Sequence, residues 1–335
     1  MATILHTVTG VTGRTGGALC AELKKRGAKV RALVRKSAER YLPFLEPYVD
    51  EFVWGDIRDV ESLKAAFSGA AYVYHLAGIV SIASKIDPQI RAVNIDGVKN
   101  VIDACLETGV KRLVYVGTCH TIPFYDKTST LREVPRFKPE ELSGAYAVSK
   151  AIASNLVLDA VSERGLDAVI GMPTGIVGGF ELQRSNFGQM VVDVAERRLP
   201  AYVSGRYDFV DVTDVAKALA DLALKGVKGE SYLISGYQVT AKEVIQWAAE
   251  AAKTPMPKLC VPLGLLKVIS YFTEWYSLKR HRTLMLTPYA VKVLGDNSRF
   301  SHEKLSALTG YNPRPLKEAI AEQVAFYFDV YKPNF

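Results

Sequence analysis

The chain has 335 residues, enough for one large α/β domain with an added lobe, or for two small domains. Hydrophobic residues make up 49% and charged residues 23%, so a sizeable core is available and a disordered chain is excluded. The net charge of +7 is spread over helical segments with no long like-charged run, which argues against nucleic acid as the partner.

Cys20, Cys105, Cys119 and Cys260 lack the close pairing of a zinc site, and read as free thiols in a reducing compartment. The start of the sequence reads directly into a strand pattern, so no signal peptide is expected, and no apolar stretch is long enough to span a bilayer. A cytoplasmic location is the expectation.

In chain order, short β-branched runs alternate with helical spacing. Strands are expected at 3–9, 29–34, 51–55, 71–76 and 112–117, with helices at 15–26, 60–67 and 88–107 between them. Strands joined by helical crossovers predict a doubly wound, Rossmann-like parallel sheet that binds ligands at the carboxyl ends of its strands. The polar segment 120–143 is too long for a routine connection and reads as a functional loop. A helix at 144–163 and a strand at 167–172 follow. Beyond Pro173 the pattern predicts helices at 187–198, 214–224, 241–252, 263–276 and 316–327, and a strand at 230–234. The expected division is a cofactor-binding and catalytic core at 1–172 and a smaller, helix-rich substrate lobe at 173–335, with 208–234 returning to the core.

The first strand runs into Thr9-Gly10-Val11-Thr12-Gly13-Arg14-Thr15-Gly16. Glycines at a strand-to-helix turn let backbone approach a pyrophosphate, and the helix N-terminus offers free N–H groups. The spacing differs from G-x-G-x-x-G, and a plain glycine-rich turn is the alternative. The second strand ends Val34-Arg35-Lys36-Ser37. A ribose 2′-hydroxyl asks for a carboxylate there, whereas Arg35 suits a 2′-phosphate, with Arg14 and Lys36 assisting. Glu39 lies too far into the next segment to replace it. NADP(H) is therefore the expected cofactor, and a surface arginine the alternative.

Tyr146 and Lys150 are four residues apart on one helical segment and so share a face. A nearby ammonium favours the phenolate, which equips Tyr146 to exchange a proton with a carbonyl or alcohol oxygen during hydride transfer. Such a pair arises by chance on many helices; its position after the glycine loop and five β/α units gives it weight. Thr118, at the end of the fifth strand, is the candidate for holding the substrate oxygen, with a turn threonine as the alternative.

These motifs resemble the extended short-chain dehydrogenase/reductase family over nearly the whole chain. Thr9–Gly16 resembles its T-G-x-x-G-x-x-G loop, and Gly55-Asp56-Ile57 its G-D-[ILV], where the acid meets the adenine amine. His75-Leu76-Ala77-Gly78 resembles the H-L-A-[AG] that lines the cofactor, and Asn94-Ile95-Asp96-Gly97 the N-x-x-G that braces the central helix. The resemblance makes Thr118, Tyr146 and Lys150 a catalytic triad, with Lys150 also bonding the nicotinamide ribose. Pro173 and Gly178 fall in a segment similar to R-P-x-x-x-[YV]-G, and 208–216 resembles D-F-[VI]-x-V-x-D-[VL]-A. The resemblance also implies a homodimer through 88–107 and 144–163.

Departures narrow the branch. Sugar-nucleotide epimerases carry Arg just before the D-F-V run; here it is Tyr207, with Arg206 one residue early. Met172 stands where Arg usually precedes Pro173. Dehydratases need Asp-Glu after the catalytic Ser/Thr; here Cys119 and His120 follow. The nearest branch resembles dihydroflavonol reductases and 3β-hydroxysteroid dehydrogenases, which act on apolar or aromatic carbonyls and alcohols.

His120 is a candidate substrate contact, though a structural role is the commoner one for a histidine opening a loop. Cys119 reads as a packed thiol. Phe124, Tyr125, Phe180 and Phe187 are candidates to line an apolar pocket or to sit in the core. The 263–276 helix, followed by Lys279-Arg280-His281-Arg282, reads as a lobe helix or as a peripheral membrane contact. An epimerase and a non-catalytic NADP-sensing protein are the competing readings.

Overall fold

The computed structural model describes residues 4–124, 129–279, 291, 295 and 298–334, with backbone alone for 274–279. Its centre is a seven-stranded, all-parallel sheet. The strands are β1 (Leu5–Thr9), β2 (Lys29–Val34), β3 (Glu51–Trp54), β4 (Tyr72–His75), β5 (Arg112–Val116), β7 (Ala168–Pro173) and β11 (Ser231–Ile234). Between β5 and β7 lies the two-residue β6 (Thr130–Leu131) of a separate small sheet. The order across the main sheet is β11-β7-β5-β4-β1-β2-β3. The chain reverses direction across the sheet at β1, between β2 and β4, and a crevice opens at such a switch point.

Crossover helices bury both faces of the sheet: all four residues of β4 and all six of β7 are buried. On one side α1 (Arg14–Lys25) packs Leu19 and Leu23 with Val8, Val114 and Leu219. On the other, Leu63 and Phe67 join Val101, Leu113 and Ile170. Burying a Leu or Phe fully is worth roughly 1.5–3 kcal/mol each, so these two layers dominate the stability of the core.

A short helix α2 (Leu42–Leu45) follows β2, and α3 (Val60–Phe67) is N-capped by Asp59, which accepts from Glu61 N–H. The helix expected at 88–107 is interrupted. It consists of α4 (Pro88–Arg91), a π-helical turn at Ala92–Asp96 and α5 (Gly97–Glu107). The wide turn places Asn94 against the cofactor side: its amide accepts from Ile79 N–H at 2.7 Å and donates to Ile79 carbonyl and to Ser149 Oγ.

The long helix α6 (Ala145–Arg164) starts after Gly144 at φ +90° and ends at Gly165 at φ +76°, where an L side chain is disfavoured. The remainder holds more strand than its irregular pattern suggests. β8 (Gly175–Val177), α7 (Asn186–Ala195), β9 (Ala201–Val203), β10 (Arg206–Asp211), α8 (Val212–Lys225), β12 (Tyr237–Thr240), α9 (Ala241–Ala252), β13 (Leu259–Val261) and α10 (Leu263–Lys279) are arranged around a third core of Val191, Val194, Val244, Ile245 and Ile320. β10 pairs parallel with β8 and antiparallel with β12. β6, within the expected functional loop, pairs with β14 (Arg299–Phe300).

Along α10, Leu265, Val268, Ile269 and Phe272 are exposed. Among the described residues no helix is long and apolar enough to cross a membrane. Residues 280–282 and Tyr125 lie outside the described residues, as do 126–128.

Candidate active site

The turn after β1 is shaped by its glycines. Gly10 sits at φ +76°, and a Cβ there would lie 2.7 Å from Ala77 N. At Gly16 a Cβ would lie 2.3 Å from Gly10 carbonyl oxygen, and at Gly13 one would lie 3.3 Å from it. No side chain caps the following helix, and its first turn carries no acid, so its N–H groups face the crevice with their dipole uncompensated.

The crevice holds a cavity of about 300 Å³, walled by Gly10–Gly13, Arg35, Asp56, Ile57, Leu76–Ile79, Val93 and Gln183 among others. Its wall draws on the ends of β1, β2, β3 and β4, as a switch-point ligand requires. Thr12 Oγ1 accepts from Gln183 Nε2 at 2.8 Å. Arg35 stands exposed at the mouth, and Ile57 is packed beneath Gly97. Asp56 carries a two-point ion pair with Arg58, at 2.9 and 2.8 Å, whose guanidinium holds its carboxyl below the usual carboxylate range. Neither Gln183 nor Arg58 was read from the sequence. Arg58 lies within reach of sequence inspection, two residues from Asp56, whereas nothing local marks Gln183.

Arg14 corrects an expectation. Its guanidinium points to the C-terminal lobe, paired with Glu181 at 2.5 Å and donating to Ile176 carbonyl, and is buried there. It is not available to a 2′-phosphate. Glu181 also accepts from Ser185 and Gln323, which fixes Arg14 in place. Lys36 is exposed outside the cavity wall, and Thr15, the second residue of α1, does not line it. Pro173 is buried at the end of β7, opposite Ile234.

The catalytic candidates gather at the end of β5. Lys150 Nζ donates to Val116 carbonyl at 2.6 Å and stands 4.3 Å above the Tyr115 ring. Burial pulls its ammonium down to about 7, a value suited to proton exchange near neutrality. Tyr146 is half-buried one turn earlier on α6. Thr118 is buried two residues beyond Val116, and its Oγ1 accepts from His120 N–H at 3.4 Å. His75 stacks on Tyr115 and bonds Thr9 Oγ1 at 2.8 Å; burial first, then the Lys150 charge, lowers it to about 3.

His120 does not stand free in its loop. Its Nε2 is 2.8 Å from Tyr207 hydroxyl, the rings stack, and burial lowers it to about 4. Cys119 is buried 3.7 Å from the same hydroxyl. Phe180 packs with Phe44, Tyr48 and Phe326, and Phe187 with Phe209, as core partners.

The model of the NAD dependent epimerase/dehydratase family matches residues 6–235. The chain belongs to that family. It is an extended short-chain dehydrogenase/reductase. Sterol demethylase protein B of Methylococcus capsulatus is 31% identical over 326 residues, covering 96% of this chain and 97% of that one. A putative dihydroflavonol 4-reductase of Synechocystis is 26% identical over 324 residues, covering 96% and 93%. The 3beta-hydroxysteroid-dehydrogenase/decarboxylase isoform 1 of Arabidopsis thaliana is 28% identical over 298 residues, covering 82% and 66%. Among solved structures, that of gox2253 superposes with a TM-score of 0.83 at 27% identity, over 97% of this chain and 98% of that one. These relatives agree with the branch expected from Tyr207, Cys119 and His120.

Proposed function

We propose that the protein is an NADP(H)-dependent oxidoreductase interconverting a carbonyl and a secondary alcohol on an apolar or aromatic substrate, with ketosteroids and sterol-type alcohols first among them. The observation that carries this reading is the bond from Lys150 to Val116, which ties α6 to the end of β5 two residues before Thr118. Tyr146 exchanges the proton of the substrate oxygen, Lys150 favours its phenolate, and Thr118 donates a hydrogen bond to that oxygen. The bound nicotinamide supplies or accepts the hydride.

The crevice supports a dinucleotide: a Cβ at Gly10 or Gly16 would fill the backbone cradle, and the uncapped first turn of α1 suits a pyrophosphate. Arg35 at the mouth, with no carboxylate closing β2, supports the 2′-phosphate form. On this reading 1–172 is the cofactor-binding and catalytic core and 173–335 mainly the substrate lobe. The names of the sterol and hydroxysteroid relatives support the substrate class. Tyr207 engaged with His120, where an epimerase holds an arginine, argues against a nucleotide diphosphate.

The test is loss of NADPH absorbance against ketosteroids, dihydroflavonols and aromatic aldehydes, with Tyr146→Phe as control. Turnover that vanishes in the variant supports the reading. NADPH binding without turnover supports the sensor reading, and tightly held NAD or uridine-nucleotide binding the epimerase reading. Two further points belong to this proposal. The exposed apolar face of α10, beside exposed Lys258 and Lys267, suits an anionic lipid surface, and sedimentation with such vesicles tests it. Light scattering tests the homodimer.

A further inference from the structure

Thr118 is followed at once by a single tight turn, Cys119–Thr121, for which it is the N-cap. Thr121 N–H and Thr121 Oγ1 both donate to Thr118 carbonyl, at 3.2 and 2.7 Å. His120 N–H donates to Thr118 Oγ1 at 3.4 Å, a long bond whose strength depends on how firmly the turn is held. A threonine hydroxyl has one proton and two acceptor sites. While the backbone N–H occupies an acceptor site, the proton is left for another oxygen.

The turn is held from the other lobe. Tyr207, 87 residues away on β10, bonds His120 Nε2 at 2.8 Å, and the rings stack with centroids 5.8 Å apart. Tyr207 is itself fixed: it pairs with Val239 across β10 and β12, and meets Phe209 edge-on at 5.2 Å. It also fills space that only Gly175 leaves open, since a Cβ there would lie 2.6 Å from Tyr207 Cε1. The strand ladder, the ring packing and the glycine all converge on the placement of one hydroxyl.

We infer that Tyr207 and His120 are positioning residues for Thr118: they clamp the 118–121 turn so that His120 N–H stays on Thr118 Oγ1 and the Thr118 proton faces the substrate oxygen. This rests on the hydride-transfer reading above and adds that the substrate lobe, through Tyr207, sets the donor geometry at the reacting centre. Desolvation lowers the half-buried His120 ring to about 4, so near neutral pH the clamp is a neutral hydrogen bond.

The experiment is a set of steady-state and single-turnover measurements on the full chain with NADPH and the best substrate of the panel. Tyr207→Phe keeps the ring packing and removes the hydroxyl. His120→Ala removes the ring, and His120→Gln keeps a group that reaches Tyr207. Tyr207→Phe and His120→Ala should each lower kcat about ten-fold, with KM and NADPH affinity within about two-fold, and His120→Gln should recover most of the loss. In a Thr118→Ala background, followed by single turnover so that slow rates stay readable, Tyr207→Phe should add no further loss, because the clamp then has nothing to orient.

An unchanged kcat in Tyr207→Phe overturns the inference. So does an equal loss with and without Thr118, which would mean direct substrate contact or general damage. Failure of His120→Gln to recover activity also counts against it. If the unmodified protein binds NADPH but reduces and oxidises nothing in the panel, the hydride-transfer reading falls and takes this inference with it. Turnover with additive losses removes this inference alone.

Discussion

Lys150 Nζ lies 2.6 Å from the carbonyl oxygen of Val116, so the middle helix is fastened to the strand end that carries Thr118. The bond occupies one of three ammonium protons and leaves two for the partners proposed above, Tyr146 and the cofactor ribose. Lys150→Met keeps the apolar stem and removes every donor. It should lower kcat at least about a hundred-fold, as expected for removing a group that shapes proton transfer, and weaken NADPH binding. Kinetics with fluorescence titration of NADPH separates the two effects.

Arg35→Glu should exchange the cofactor preference. A carboxylate at the end of β2 accepts from a ribose 2′-hydroxyl and repels a 2′-phosphate. The ratio of NADPH to NADH affinity should fall by about a hundred-fold or more, in line with loss of a charge-assisted contact plus a new repulsion. An unchanged ratio, read by titration with both cofactors, removes Arg35 from the phosphate site.

Gly16→Ala tests the glycine cradle. The added methyl would lie 2.3 Å from Gly10 carbonyl oxygen and 2.6 Å from Val11 Cα, both backbone atoms that cannot swing aside. Overpacking of this kind costs about 1–3 kcal/mol. The urea midpoint should fall accordingly, and cofactor affinity with it.

The Arg14–Glu181 pair is nearly dry, with side chains 10% and 8% exposed. Glu181→Leu leaves the guanidinium buried without its counter-charge, which costs about 3–5 kcal/mol. Arg14→Met together with Glu181→Leu should recover a large share of that loss. Denaturation of the single and double variants measures the recovery.

Acid should destabilise the fold through two of its histidines. His75 and His120 are lowered to about 3 and about 4, against an ordinary 6.5. Between those values and 6.5 the unfolded chain binds protons that the folded chain does not. Stability from both groups is therefore complete above about pH 6.5 and declines as pH falls toward their folded values. The urea midpoint should drop between about pH 7 and 4.5. His75→Phe should start lower, since Thr9 loses its partner, and decline less steeply.

Local spacing settled much of this molecule. A glycine cradle between strand and helix, a Tyr and a Lys one helical turn apart, and β-branched runs at crossover intervals are all readable because their partners are near in sequence. The matched family and the seven-stranded sheet agree with what those features predicted. The π-helical turn at Ala92–Asp96 was not readable, because it answers to the contacts of Asn94 with Ile79 and Ser149 rather than to the helix's own residues. The small strands β8, β10 and β12 likewise form only against one another.

What the tertiary structure alone decided is where charged and polar side chains spend their hydrogen bonds. Sequence set Arg14 beside a phosphate loop, but Glu181 draws it to the other lobe. Gln183 reaches Thr12 from 171 residues away, and Tyr207 reaches His120 from 87. A long polar side chain has several partners within its radius, and burial selects among them by the cost of leaving any one unmet. That selection depends on which segments the sheet brings together, and no local pattern in the sequence encodes it.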